Sequence, residues 1–368
     1  MKVAIVHDWL TGMRGGEKCL EAFCELFPDA TLFTLVHKKG SVSWPIENMR
    51  IETSFLQHFP DVENKYRYYL PFMPAAIKSF DLSAYDLVLS SSHCVAKGVD
   101  VRKDSLHICY CYTPMRYIWD MYGQYFGKSK LPVKIAMKII RPYLMRWDVK
   151  TSKNVDYFIA ISEHIKNRIK KNYGSDSYVI YPPVDTDFYT PAAVPCRGDY
   201  YLIVSAFAPY KKIDLAVEAF NMLGLKLKII GSGQDEKYLK NTAGRNIEFL
   251  GWLDNEALRE HYRNCKALIF PGEEDFGIVP VEAQACGVPV IAYRRGGAVE
   301  TVTDGVTGVL FDEQNSDSLI SAVRKFEDTK FDAGVLRANS ERFSKGNFTA
   351  QIKNFIEKRY KMSKIEKL

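Results

Sequence analysis

The 368-residue sequence contains no uncharged apolar run approaching the ~18 residues that a membrane-spanning helix needs. It has no cysteine spacing of the metal-binding kind. Its 8 cysteines are scattered, and the one close pair, Cys109 and Cys111, falls on one face of a predicted strand. Free thiols packed in a reducing interior are the plain reading. There is no Walker-type Gly-Lys-Ser/Thr element, which argues against a P-loop. Gly231-Ser232-Gly233 lacks the third glycine of a dinucleotide fingerprint, which counts against a nicotinamide dehydrogenase. Internal repeats and low-complexity segments are also missing. The chain opens on Met1-Lys2-Val3-Ala4-Ile5-Val6, which reads as a first buried strand and not as a leader peptide. A cytoplasmic protein, soluble or peripheral on a membrane, is expected.

Charge of either sign is in modest supply. The formal net charge is +6; residues 1–185 carry 25 Lys+Arg against 19 Asp+Glu, and residues 186–368 carry 25 against 25. The whole excess therefore lies in the first half. Nucleic-acid binders show a stronger, clustered basic signal, so no nucleic-acid partner is expected. An anionic membrane surface or acceptor fits a moderate one-sided excess better.

What is present is the composition and rhythm of a globular α/β protein, with 47% hydrophobic and 26% charged residues. Short apolar strands alternate with amphipathic helices, the pattern of parallel sheets covered on both faces. Strands are expected at 2–6, 86–90, 107–112, 155–161 and 178–181 in the first half. In the second they are expected at 200–205, 225–230, 247–250, 267–270, 288–293 and 309–311. The spacing of Ile213, Ala216, Val217 and Phe220 predicts a helix, as do Cys19, Leu20, Phe23 and Phe27. Tyr181-Pro182-Pro183-Val184-Asp185 ends a strand and opens a polar stretch running to Arg197-Gly198-Asp199. Three regions follow: an α/β domain over 1–185, a second over 186–345, and a terminal helix over 346–368.

Five stretches carry candidate chemistry. Gly12-Met13-Arg14-Gly15-Gly16-Glu17 lies between a strand and a helix, where glycines let backbone approach a ligand and the helix start offers free N–H groups. A plain tight turn accounts for it equally well. Ser205–Lys212 ends in Lys211-Lys212 at the carboxyl end of a strand, where two ammonium groups suit a diphosphate or a solvated surface. Pro271–Ala283 holds Glu274 in a loop and Glu282 eight residues on. Pro280 suits the first helical position, which puts Glu282 in the first turn. Carboxylates pair with sugar hydroxyls, but the helix dipole alone also favours an early Glu. Tyr110–Asp120 is dense in aromatic rings, with Tyr112 and Arg116 suited to a sugar ring and an anion, or to a packed loop. Lys128–Lys153 holds eight Lys/Arg and one acid among apolar residues, a basic amphipathic segment for an anionic membrane or a snorkelling surface helix.

In combination these stretches resemble the retaining family-4 glycosyltransferases of the GT-B fold, over nearly the whole chain. The likeness rests on Glu274 and Glu282 with seven residues between them, on Gly15-Gly16, Lys211-Lys212 and Gly231-Ser232-Gly233, and on the closing run Gly296-Gly297, Glu300 and Asp304-Gly305-x-x-Gly308. His7–Gly12, Tyr210–Leu215 and Glu274–Pro280 are most similar to bacterial mannosyltransferases of surface-polysaccharide and O-antigen assembly. The resemblance implies two Rossmann-like domains facing across a cleft, the first acceptor-binding and the second nucleotide-sugar-binding, with the terminal helix packing back on the first. It implies that Glu282 binds the ribose of a nucleotide sugar and that Glu274 contacts the donor sugar, helped by backbone N–H groups of Phe276, Gly277 and Ile278. Lys211 and Lys212 would hold the diphosphate, Gly15 and Gly16 would reach the same phosphates, and Gly251 would lie near the base. Front-face attack, with the leaving phosphate taking the acceptor's proton, would need no protein base, no cofactor and no metal. Two positions depart from many relatives: Ala206 stands where an arginine is common, and Tyr112 where a histidine is.

The expectation is transfer of a hexose, mannose from GDP-mannose by resemblance, to a lipid-linked or polysaccharide acceptor at the inner face of the cytoplasmic membrane. A nucleotide-sugar epimerase of the same architecture and a catalytically impaired sugar-nucleotide-binding protein stand as alternatives.

Overall fold

Residues 1–127, 130–193 and 198–365 are described by a computed structural model. Lys128 of the basic stretch, Cys196 and Arg197 of the expected connection, and the last three residues of the terminal helix lie outside them. The chain divides into two units: Met1–Pro183 together with Phe348–Leu368, and Val184–Asn347.

The first unit is built on seven parallel strands in the order β3-β2-β1-β4-β5-β6-β7. They are β1 (Val3–His7), β2 (Thr31–Thr34), β3 (Arg50–Thr53), β4 (Leu87–Ser92), β5 (Leu106–Cys111), β6 (Tyr157–Ala160) and β7 (Ser177–Val179). Every residue of β1, β4 and β5 is buried, as expected of strands with helices on both faces. Ile5 sits between Leu32 and Leu89. The helix Gly15–Leu26 presses Cys19, Leu20 and Phe23 inward. The terminal helix Lys345–Ile365 buries Phe348, Ile352 and Ile356, and the Phe348 ring lies 5.5 Å from Phe23 and 5.6 Å from Tyr110.

The second unit holds six parallel strands in the order β10-β9-β8-β11-β12-β13. These are β8 (Tyr200–Val204), β9 (Lys226–Ile230), β10 (Ile247–Gly251), β11 (Leu268–Phe270), β12 (Val290–Tyr293) and β13 (Gly308–Phe311). Alternate residues of β8 feed opposite faces: Tyr201 and Ile203 join one core cluster, Tyr200 and Leu202 the other. The helix Ile213–Leu223 buries Ile213, Ala216, Val217 and Phe220 as its spacing requires, and ends on Gly224 in the left-handed conformation. Both sheets belong to the α/β class. Strands β2 and β3 were not expected from the sequence. They are four residues each, and the edge strand β3 is only half-buried.

No helix among the described residues is long and apolar enough to cross a membrane. None of the described cysteines is bridged, and all are buried. The first unit instead relies on a buried ion pair. Asp148, on the helix Leu131–Ser152, accepts hydrogen bonds from the Lys97 ammonium, from Trp119 Nε1 at 2.8 Å and from the Tyr173 hydroxyl at 2.9 Å. Lys97 is 1% exposed and Asp148 fully buried. Two such charges coexist only because each satisfies the other, so removing one strands its partner. Asp148→Ala is expected to lower the unfolding free energy by about 3–5 kcal/mol, and Asp148→Ala with Lys97→Met to recover most of that loss, in denaturant titrations.

Candidate functional site

In the second sheet, successive strands run outward from β8 in one direction and from β11 in the other, so β8 and β11 flank the point where strand order reverses. Loops leaving the carboxyl ends of two such strands diverge and open a crevice. The loop after β8 carries Lys211, and the loop after β11 carries Glu274.

After β8 the chain makes a 3-10 turn at Pro209–Lys211 and enters the helix through Lys212, a non-glycine residue at φ +54°. That conformation is disfavoured for a residue with a Cβ and is kept here by the abrupt turn from strand to helix. Gly231 lets the neighbouring loop pack flush on this one. A Cβ there would fall 1.9 Å from the Ser205 carbonyl oxygen, so the glycine serves backbone packing.

The two loops touch. A Cβ on Gly272 would lie 3.0 Å from Lys211 Cα. Lys211 Nζ meets Glu274 Oε1 at 2.5 Å, with the side chains 16% and 21% exposed. A third loop, after β12, braces Glu274 from behind: Gly297 N–H donates to the Glu274 carbonyl at 2.8 Å. A Cβ on Gly297 would sit 2.2 Å from Phe276 Cα. Lys212 is placed elsewhere. It lines a hollow of about 630 Å³ with Asp214, Glu218, Asn221, Tyr238 and Asn315.

Gly277, at φ +89°, caps the helix Ile278–Ala285. The helix thus starts two residues before Pro280, which occupies the third helical position. A proline is tolerated anywhere in the first turn because the N–H it lacks has no intrahelical partner there. Glu282 consequently falls in the second turn, not the first. Its side chain is buried, and Oε2 accepts the Tyr262 hydroxyl at 3.0 Å. Phe276 is buried with its ring 5.4 Å from Phe343. Gly251 ends β10 at φ +72°, next to an irregularity in the pairing with β9.

In the first sheet the reversal lies between β1 and β4. Gly15 and Gly16 form the start of the helix after β1. The Gly16 carbonyl accepts the Tyr112 hydroxyl at 2.8 Å, and that hydroxyl also lies 2.8 Å from Ser91 Oγ. Tyr112 is therefore a buried, fully bonded residue pinning the glycine turn to the end of β5. Burial pushes its phenol well above the usual range, so it stays protonated. Arg116 is half-buried in the same loop, where its carbonyl accepts Met121 N–H at 2.9 Å.

The structure adds residues to which the sequence reading gave no role. His7 Nδ1 lies 3.0 Å from Ser91 Oγ, and its Nε2 is 3.9 Å from Glu17 Oε1. Glu17 accepts the Arg14 N–H at 3.0 Å. Burial raises the Glu17 pKa, but the neighbouring His7 and His93 outweigh it and hold the carboxyl below its ordinary value. Asp8 and His93 complete the group. The signal that could have found them is position: polar residues directly at the carboxyl ends of β1 and β4.

Two family models match the chain. One, described as Glycosyl transferases group 1, covers residues 193–345; the other, Glycosyltransferase Family 4, covers residues 39–188. The chain belongs to the family-4 glycosyltransferases. Among curated relatives, an uncharacterised glycosyltransferase of Methanocaldococcus jannaschii is 33% identical over 52% of this chain and 55% of its own length. A GDP-mannose-dependent phosphatidylinositol monomannoside mannosyltransferase of Mycolicibacterium smegmatis is 29% identical over 56% of this chain and 60% of its own. The chain spans about half the length of the curated relatives it matches. Among solved structures, Anabaena HepE in complex with UDP superposes with a TM-score of 0.71 at 16% identity, covering 97% of this chain and 100% of that one. Sucrose-phosphate synthase of Thermosynechococcus elongatus gives 0.72 at 17% identity, covering 98% and 100%. These likenesses identify the fold of this family-4 chain as GT-B.

The bracing of Glu274 by Gly297 makes a specific prediction. Gly297→Ala must displace the Phe276 backbone, so it should weaken binding of a nucleoside diphosphate by at least about tenfold, about 1.4 kcal/mol, in calorimetric titration. Gly346→Ala, where a Cβ would meet nothing within 4 Å, should leave binding unchanged.

Proposed function

We propose that this chain transfers a hexose from a nucleoside-diphosphate sugar to a saccharide or lipid-linked acceptor, with retention at the anomeric carbon. The observation that carries the reading is the Lys211–Glu274 pair at the strand-order reversal of the second sheet. Without ligand, the ammonium and carboxylate neutralise each other in a half-buried crevice. A donor diphosphate brings negative charge that competes for Lys211 and releases Glu274 to accept hydrogen bonds from sugar hydroxyls. The first N–H groups of the helix Ile278–Ala285 supply further positive potential. As the anomeric C–O bond lengthens, negative charge grows on the departing phosphate. Lys211 stabilises that charge more than it does the ground state, which is what accelerates the step. The new C–O bond forms on the same face, and the acceptor's proton passes to the departing phosphate oxygen. The transfer is read as metal-independent, as the family resemblance implies. Glu282 holds the ribose. Mannose from GDP-mannose is the preferred donor, a choice supported by the GDP-mannose dependence of the Mycolicibacterium relative.

Calorimetric titration with GDP, UDP and their sugars tests this reading. One nucleoside diphosphate should bind selectively, and Glu282→Gln should weaken it about tenfold, about 1.4 kcal/mol, while keeping an acceptor for the Tyr262 hydroxyl. Binding of none would overturn the reading. Turnover of donor to its epimer without acceptor would favour the epimerase instead.

The acceptor side is read as a membrane surface. On the helix Leu131–Ser152, Leu131, Ile135, Ile139 and Tyr143 are exposed at four-residue steps, among Lys130, Lys134 and Lys138. Exposed apolar residues interleaved with lysines suit the interface of an anionic bilayer. The protein should sediment with phosphatidylglycerol vesicles at low salt, and Ile135→Asp with Ile139→Asp should abolish it. Sedimentation unchanged in that variant would remove the helix from the account.

A further inference from the structure

At the reversal point of the first sheet, the end of β1 and the end of β4 bring Asp8 and His93 together. The Asp8 side chain is fully buried, and its position is set by four backbone donors from one short segment. Oδ2 accepts the N–H of His93 at 2.8 Å and of Cys94 at 2.9 Å; Oδ1 accepts Val95 at 2.7 Å and Ala96 at 2.8 Å. The same Oδ2 lies 3.1 Å from Nδ1 of the His93 ring. A carboxylate only accepts, so Nδ1 carries the hydrogen and Nε2 is left with its lone pair. No described residue bonds that nitrogen, and the side chain is 30% exposed. The ring is held edge-on to Trp9 at 4.6 Å.

This arrangement fixes an acceptor atom at the place where a parallel sheet presents its ligand site. We propose that His93 is a catalytic residue for the acceptor: its Nε2 accepts the hydrogen bond of the sugar hydroxyl that attacks the donor, with Asp8 fixing the ring's tautomer and angle. The inference rests on the transferase reading above and names the residue that orients its nucleophile. His93 aligns the oxygen. The hydroxyl's proton still leaves to the departing phosphate as the new C–O bond replaces the old one, so the ring ends the step neutral as it began.

The groups facing His93 are consistent with that role. They are His7 and Asp8 from β1 and its end, Arg14 and Glu17 at the start of the helix after β1, and Tyr112 after β5. Burial lowers the His93 pKa from its ordinary value, and Asp8 and Glu17 only partly offset this. The neutral, accepting form therefore prevails near neutrality, and protonation on acidification would remove the lone pair.

The test compares wild type, His93→Gln and His93→Ala in the full chain. GDP-mannose serves as donor, octyl α-D-mannopyranoside and water as acceptors, and GDP affinity as the control on the donor unit. His93→Ala should bind GDP as wild type does while kcat for both acceptors falls about 10²-fold. His93→Gln, which retains an accepting oxygen, should recover part of that rate. It should also lose the decline in rate that wild type shows on acidification below the ordinary imidazole range. Wild-type kcat and pH profile in both variants would overturn the inference and leave the transferase reading standing. A wild type that binds GDP-mannose but turns it over to neither acceptor would overturn the transferase reading, and this inference with it.

Discussion

The reversal of strand order in each sheet is the constraint on which the sites depend. Crossover connections from adjacent strands leave in opposite directions only between β8 and β11 in the second unit and between β1 and β4 in the first. At those points loops diverge from the carboxyl ends of the strands, and polar side chains gather there. Lys211 and Glu274 occupy one such point. Asp8, His93, His7 and Glu17 cluster at the other. Each pairing is long in sequence, as between Asp8 and His93, 85 residues apart. Each becomes short only because parallel strands carry both residues to the same end of one sheet.

Two ion pairs in the molecule show how burial assigns their roles. Lys97 and Asp148 are sealed among Trp119, Trp147 and Tyr173, where the charges cannot be exchanged for another partner and so serve the fold. Lys211 and Glu274 keep part of their surface in solvent. A half-buried pair has a smaller desolvation cost and can be opened by a ligand with more negative charge. Backbone contact supplies the rigidity that the half-buried pair lacks, through Gly272 against Lys211 and Gly297 against Phe276.

Much of this was legible in the sequence. The buried strands announced themselves as unbroken apolar runs, and the Ile213–Phe220 face by its spacing. Lys211 and Glu274 were expected in loops and lie after β8 and β11, while the roles given to them came from the family resemblance. The short strands β2 and β3 were not, because four residues at a sheet edge leave too little pattern. The position of Glu282 was misread because a proline suits the first helical position best yet is tolerated through the whole first turn. For Tyr112 the sequence left a sugar-facing ring and a packed loop equally open, and its hydroxyl is committed to Gly16 and Ser91. Asp8 and His93 carried only a positional signal, at the carboxyl ends of β1 and β4, since the partners of Asp8 are backbone N–H groups whose convergence no side-chain pattern reveals.

The central claim is that the donor diphosphate takes Lys211 from Glu274. It is tested most directly by measuring the affinity of a nucleoside diphosphate without its sugar for wild type, Lys211→Met, Glu274→Gln and the double variant. Competition for one ammonium predicts that Lys211→Met weakens binding at least about tenfold, about 1.4 kcal/mol, while Glu274→Gln leaves it unchanged or tighter. Equal weakening by the two single variants would contradict the account, since Glu274 would then be holding the diphosphate site together and not yielding it.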